Sequence, residues 1–391
     1  MKIVEVCPYD MARHGGVQNH ILDLAAWLTR HGHEVRIIAP PPLKGADVPG
    51  VTHVGRSKLI GVLGTVTEIS YLPGGEKRAL AEELNAWGAD VLHMHTPWTP
   101  LLAWQVWRAA RLPSVATFHA TLPESAQRGL SGFAYGAAGR YFLKRLEAAV
   151  VPSVSPLAHL IPPQGVAGPR ILPPTIDLSD WRRAALAGDK PTDPQAPHVV
   201  FLGRLEDRKG VGVLLEAWKA VAACLPRARL TIAGSGPQQN LVDSALAADS
   251  GRSITHLPAP DRDAARKLVA EADLFAAPAP YGESFGLVLI EAMAAGTVPV
   301  AAANTGYRTV LEGGGEKLMV PPGNAGALAE RILELAASPG LLREARNWGM
   351  ERAARFDVEA VGPRYVELFE EVRQASRRAK GAGTSGSASF A

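Results

Sequence analysis

This 391-residue sequence contains no long apolar stretch. No uninterrupted run reaches the ~18 residues that a membrane-spanning helix requires, so no such helix is expected. The opening MKIVEVCPYD has neither a basic leader nor a cleavage site and runs straight into strand-like sequence, so export is not expected. There are only two cysteines. Cys7 and Cys224 lie far apart in apolar surroundings, which predicts buried thiols in a reducing compartment and no disulfide framework. Basic and acidic residues nearly balance: a net charge of +3 is too small to imply nucleic acid, so any anionic partner must be met by local clusters. The dinucleotide fingerprint GxGxxG is missing at the first glycine loop, and the phosphate loop GxxxxGK[ST] is missing altogether. A dehydrogenase and an NTPase are disfavoured accordingly. No internal repeat is visible.

What is present is ordinary globular composition, 47% hydrophobic and 20% charged, in a chain long enough for two domains. A strand is expected at Lys2 to Val6, then the loop DMARHGGVQ. A helix follows from Val17 to His31, apolar at Ile21, Leu24, Ala25 and Leu28 with helical period. HGHEVRIIAP leads into a second strand, and further strands are expected at Val91–His95, Ser114–Thr117, Ala149–Ser153 and Arg170–Leu172. At ALAGDKPTDPQAPH, residues 185–198, the composition shifts to Pro, Asp and Gly, which reads as a linker. The alternation then restarts with the strand VVFLGRL, the helix Val211–Cys224, and strands in RLTIAG, DLFAAP, TVPVAA and KLMVPP. This order predicts an α/β protein of two facing, doubly wound Rossmann-like domains, 1–185 and 186–357, with a cleft between them. A helix at 358–376 is expected to return to the first domain, and the Gly/Ser/Ala-rich tail 377–391 to be disordered.

Ligands of such sheets bind at the carboxyl ends of strands, and several candidate residues fall there. His14-Gly15-Gly16 follows the first strand and precedes a helix; its backbone could approach a phosphate, though a plain tight turn looks the same. In FLGRLEDRKG, Arg204 leaves a strand and Lys209 precedes a helix, a fork and a point charge suited to a diphosphate. AGSGP places Gly234 at another strand exit, and His119 in ATFHAT follows a third. His93 and His95 share one face of a strand and could ligate zinc. No Cys, Asp or Glu motif at ligand spacing accompanies them, so core histidines are the better reading. Asp261-Arg262-Asp263 imitates a metal-binding DxD but opens a helix, where N-capping explains it. YGESFGLVLIEAMAAG puts Glu283 and Glu291 eight positions apart.

Together GGVQNHILDLAAWLTRHGHEV, DVLHMHTP, ATFHAT, FLGRLEDRKG, AGSGP and ESFGLVLIEAMAAGTVPV resemble the retaining glycosyltransferases of the GT-B fold, family 4. The resemblance runs from residue 1 to about 370 and is closest to the bacterial phosphatidylinositol α-mannosyltransferases, which use GDP-mannose. It implies that Gly15 and Gly16 lie against the donor diphosphate and that Arg204 and Lys209 hold it. Glu283 would contact the donor sugar, Ser284, Phe285, Gly286, Leu287 and Gly234 would line the donor site, and Glu291 would bind the ribose. His119 would sit near the reacting sugar, and Tyr9, Asp10 and Gln18 would line the acceptor pocket. A spacing of two helical turns, ~12 Å, fits two hydroxyl clamps on one extended donor. It is too long for shared ligation of one metal, and exceeds the ~5–9.5 Å of a glycosidase carboxylate pair. The resemblance implies neither metal nor cofactor, since the nucleotide sugar is a substrate. It also implies a hydroxyl acceptor at a membrane surface and a cytoplasmic protein peripheral to the inner face of that membrane.

Three stretches depart from the mannosyltransferase pattern. EKRALAEELNAWGAD carries four acids against two bases where those enzymes have a basic amphipathic helix, PPTID replaces P-N-G-V-D, and ATLPES follows His119. The apolar helix Ser131 to Ala149, with Arg140, Lys144 and Arg145, is a second candidate for a membrane surface, and reads equally well as an ordinary buried helix with a basic end. These changes bear on the acceptor. A UDP-sugar transferase acting on a glycolipid or saccharide, a nucleotide-sugar 2-epimerase and a non-enzymatic sugar-nucleotide sensor remain as alternatives.

Overall fold

A computed structural model describes residues 1–13, 15–45, 47–62, 65–97, 101–121, 130–187 and 193–385. His14, residues 122–125 of ATLPES and residues 188–192 of the expected linker lie outside the described residues. The chain forms two compact units, Met1–Ile176 with Val358–Ala391, and Asp177–Asp357.

In the first unit β1 (Lys2–Val6), β2 (Glu34–Ala39), β3 (Val51–His53), β6 (Val91–His95), β7 (Ser114–Thr117), β8 (Ala148–Val151) and β9 (Arg170–Ile171) form one parallel sheet in the order β3-β2-β1-β6-β7-β8-β9. A separate antiparallel hairpin, β4 (Arg56–Val62) with β5 (Thr65–Tyr71), interrupts the alternation. One face of the sheet carries Val4, Val6, Leu92, Met94 and Ala116 in a core with Leu80, Leu84, Leu102 and Val106. The other face carries Ile3, Val91, Val115 and Val150 under the helices Gly16–Arg30 and Val358–Ser385. The C-terminal helix docks there through Val361, Tyr365, Leu368, Phe369 and Val372, an apolar stripe at helical spacing.

In the second unit β10 (His198–Leu202), β11 (Arg229–Ala233), β12 (Ile254–Leu257), β13 (Leu274–Ala277), β14 (Val298–Ala302) and β15 (Met319–Val320) form a parallel sheet, order β12-β11-β10-β13-β14-β15. Its core gathers Val199, Phe201, Leu214, Trp218, Ile232, Leu274, Val300 and Ile332.

Four details differ from the sequence reading. The chain passes into the second unit at Ile176–Asp177, ahead of the Pro-rich stretch. The reason is local: in the helix Ser179–Ala187, Asp180 pairs with Arg266 at 2.9 Å and Arg182 with Asp357 at 2.6 Å, all within the second unit. The last helix continues to Ser385, past residue 376. The good helix formers Arg377, Arg378, Ala379 and Lys380 and a pairing of Arg377 with Asp90 at 3.3 Å carry it into the expected tail. Cys7 is buried, but Cys224, the last residue of its helix, is exposed. The strands β3, β4, β5 and β12 were not anticipated.

Phe369 is fully buried between the C-terminal helix and the first sheet. Phe369→Ala should therefore cost about 3–5 kcal/mol. Guanidinium unfolding should show this as a lower midpoint for the first unit; an unchanged midpoint would mean that the helix does not contribute to its stability.

Candidate functional site

Both sheets have a switch point, where the strand order reverses and loops diverge to leave a crevice at the carboxyl ends. In the second unit it lies between β10 and β13, which pair in parallel. The exit of β10 carries Arg204 and, on a short 3-10 turn Asp207–Lys209, Arg208 and Lys209. The exit of β13 carries Glu283. Lys209 Nζ donates to Glu283 Oε1 at 2.6 Å, joining the two exits, while Arg208 lies 3.6 Å from the same oxygen. Glu206, which is buried, accepts from Arg204 at 2.8 Å and from Arg208 at 2.8 Å. Three cations thus meet the carboxylates of Glu206 and Glu283, while the third carboxylate of the cluster, Asp207 on the same turn, accepts from the Tyr281 hydroxyl at 2.7 Å. Arg204 itself is exposed.

The carboxylate loop is held from below. Phe285 is buried edge-on against Phe356, with ring centroids 5.4 Å apart, so its side chain packs and leaves the backbone as its free contact. Gly286 caps the helix Leu287–Ala294 at φ 117°, and a Cβ there would come within 2.7 Å of the Tyr307 ring. A Cβ on Gly306 would collide with the Glu283 carbonyl oxygen, so only glycine lets the helix Thr305–Leu311 seat against this loop. Burial, with the charge of Glu283 beside it, pushes the Tyr307 phenol well up and keeps it protonated. Ser284 and Leu287 flank this turn, half-buried, and Glu291 lies on the helix that follows. Gly234 directly follows β11, and the next residue is zipped to the β10 exit by Leu205 N–H to the Ser235 carbonyl at 3.0 Å.

In the first unit the switch point lies between β1 and β6. The apolar face of Ile3, Val91 and Val115 turns polar there, with Glu5, His93, His95 and Thr117 one pleat further on. All four are buried. Glu5 Oε2 lies 2.9 Å from His93 Nδ1 and 2.8 Å from His95 Nε2. His93 Nε2 meets Thr117 Oγ1 at 2.7 Å, and His95 Nδ1 meets His119 Nε2 at 3.0 Å. His119, half-buried, ends the row at the exit of β7. His20 stands alongside, its Nδ1 accepting the Thr175 backbone N–H at 2.9 Å. Burial first, and then the neighbouring imidazoles, hold His20 and His95 well below the usual histidine range and take His119 down to about 3. Nitrogen or carboxylate atoms of His20, His95 and His119, and of Glu5, His93 and His95, also lie within 4.8 Å of one another, close enough for a metal ion. Asp261 is spoken for, capping the helix Arg262–Glu271 through the Ala264 N–H.

Gly15 and Gly16 open the helix Gly16–Arg30, as the strand–loop–helix pattern requires. Tyr9 and Gln18 are half-buried nearby, and Gln18 donates to the Asp10 carbonyl at 3.2 Å. The Asp10 carboxylate is turned inward: it is buried and accepts the N–H groups of Ala12 and Leu43 at 2.8 and 2.9 Å. Here it holds the loop. Sequence reasoning missed Glu5, His20, Glu206 and Arg208. For Glu206 and Arg208 a signal existed, the alternating charges of RLEDRK; for Glu5 it was a lone carboxylate inside an apolar strand.

A model of the group 1 glycosyl transferases matches residues 184–352, and one of glycosyltransferase family 4 matches residues 14–180. A phosphatidyl-myo-inositol mannosyltransferase of Mycobacterium leprae is 31% identical over 377 residues, covering 95% of this chain and 97% of that one. Its namesake in Propionibacterium freudenreichii is 31% identical over 382 residues, 94% of each. Among solved structures, sucrose-phosphate synthase of Thermosynechococcus elongatus matches with a TM-score of 0.70 at 24% identity, covering 96% of this chain and 99% of that one. Anabaena HepE in complex with UDP matches with a TM-score of 0.72 at 16% identity, covering 95% and 100%. The fold is that of the GT-B glycosyltransferases, with two Rossmann-like domains. The chain belongs to glycosyltransferase family 4.

The histidine row makes stability depend on pH. Unfolded histidines titrate near 6.5, whereas His20, His95 and His119 stay neutral in the fold down to lower pH. On acidification the unfolded chain takes up these protons first, so the stabilisation is present above about pH 6.5 and is lost as pH falls toward about 3. Denaturation midpoints should drop between pH 7.5 and 5; a flat profile would contradict a neutral, buried cluster.

Proposed function

We propose that this protein moves a hexose, mannose from GDP-mannose as the first reading, onto a hydroxyl of a lipid-linked polyol. The observation that carries the reading is the Lys209–Glu283 pair at the second unit's switch point, with Arg204 and Arg208 beside it. A nucleoside diphosphate is a good leaving group once its charge is met, and oriented cations at strand ends meet it without a metal. The bond from the anomeric carbon to the diphosphate oxygen breaks, and a bond to the acceptor oxygen forms on the same face, so configuration is retained. The acceptor's hydroxyl proton leaves with the diphosphate. Glu283 clamps sugar hydroxyls and Glu291 the ribose. The names of the relatives support mannose and a phosphatidylinositol-type acceptor.

A second reading has its own support. The helix Gly74–Trp87 holds Glu76, Glu82 and Glu83 against Lys77 and Arg78, with Glu83 engaged by Arg36 at 2.7 Å. Such a helix adsorbs poorly on an anionic membrane, where each basic residue is worth about 1 kcal/mol. A saccharide acceptor away from the membrane suits it better, with a UDP-sugar as the alternative donor.

A thermal-shift panel of GDP-, UDP- and ADP-sugars separates the donors. The true donor at 100 times its Kd should stabilise the protein by about 2.7 kcal/mol, and no shift with any of them would count against a nucleotide-sugar enzyme. Lys209→Ala and Glu283→Ala should each lower transfer by at least about 100-fold. The fold should survive, because in the lysine variant Arg208 remains 3.6 Å from the carboxylate. Near-normal activity in either purified variant would remove that residue from the site.

A further inference from the structure

We propose that Glu5 and His95 are positioning residues that fix the tautomer of His119, so that His119 offers the lone pair of Nδ1 to a hydroxyl of the bound sugar. The inference rests on the transfer reading above for its sugar, and on hydrogen-bond polarity among buried neutral imidazoles for its tautomer. A carboxylate accepts and cannot donate. The partners of Glu5 at hydrogen-bonding distance among the described residues are His93 Nδ1 and His95 Nε2, so both nitrogens carry protons. His93 then takes the Thr117 hydroxyl proton at Nε2, which completes its pairing. A neutral His95 protonated at Nε2 has its lone pair at Nδ1, and 3.0 Å away that lone pair accepts from His119 Nε2–H. His119 is left with an unprotonated Nδ1, which has no partner among the described residues. Polarity therefore runs one way, from His119 at the strand exit to a carboxylate buried in the sheet.

His20 supports the same picture from the side. Thr175 N–H points at its Nδ1, which places the His20 proton on Nε2, a buried atom with no partner among the described residues. A neutral imidazole has one lone pair, and here it is used. Ligation of a metal through His20 Nε2 would require a second deprotonation, so the hydrogen-bonded arrangement accounts for the cluster better than a cation does.

The test is the nitrogen-15 spectrum of the histidine rings in the full chain, beside steady-state kinetics. Wild-type His119 should be the Nε2–H tautomer at pH 7. In Glu5→Gln the amide can present N–H to His95 Nε2, which reverses the row and moves the His119 proton to Nδ1. That variant should lose at least tenfold in kcat and bind GDP as tightly as wild type, since Arg204, Arg208 and Lys209 are left unchanged. Wild-type His119 found as the Nδ1–H tautomer or as imidazolium would overturn the proposal. So would a Glu5→Gln protein with unchanged tautomer and kcat, or stoichiometric metal on these rings in the purified protein. If Glu5→Gln does not fold, the wild-type spectrum decides alone. If no hexose is transferred, the ring spectrum still decides the tautomer, and it is the transfer reading that fails.

Discussion

The contact between Lys209 and Glu283 ties together the exits of two adjacent parallel strands, β10 and β13, at the one place where the second sheet leaves a crevice. Each partner depends on structure behind it. Lys209 sits on a single 3-10 turn that ends at Gly210, directly before the helix Val211–Cys224. Glu283 sits on a loop pinned by Phe285 against Phe356 and by the close approach of Gly306. A half-buried ion pair of this kind adds little net stability, because desolvation offsets much of the attraction. Its effect is on geometry: a carboxylate and an ammonium are set in place before any ligand arrives, so less ordering is needed on binding.

The first unit solves a related problem with neutral groups. A carboxylate inside a parallel sheet is costly unless it is hydrogen-bonded, and Glu5 meets two imidazole nitrogens on the neighbouring strand. The helix Val358–Ser385 lies over that same face, and Tyr365 packs its ring 5.3 Å from His20 and 5.7 Å from His93. The chain's last helix therefore shields the polar row as well as covering Ile3 and Val91.

Much of this was legible in the sequence, for identifiable reasons. Buried parallel strands read as apolar runs, and β1, β6 and β7 begin and end where their runs do. The strand-exit position of His119 followed from β7, and those of Arg204 and Lys209 from the apolar run of β10. The missed strands are short or weakly patterned: β3 is three residues with no buried position, and β12 alternates between half-buried and exposed. Cys224 has apolar neighbours in sequence, but it falls on the outer side of its helix. Partnerships were the least legible. Nothing in MKIVEV tells that Glu5 will meet histidines some ninety residues away, and a loop carboxylate such as Asp10 gives no sign that it will turn inward to its own backbone.

The central claim is that one extended donor is held by two carboxylates with different duties. It is tested most directly by calorimetric titration of the nucleoside diphosphate and of its sugar conjugate into Glu283→Ala and Glu291→Ala. The account predicts that Glu291→Ala weakens both ligands by the same factor, because both carry the ribose. It predicts that Glu283→Ala weakens only the sugar conjugate. Equal losses for both ligands in both variants, or no loss in either, would contradict it.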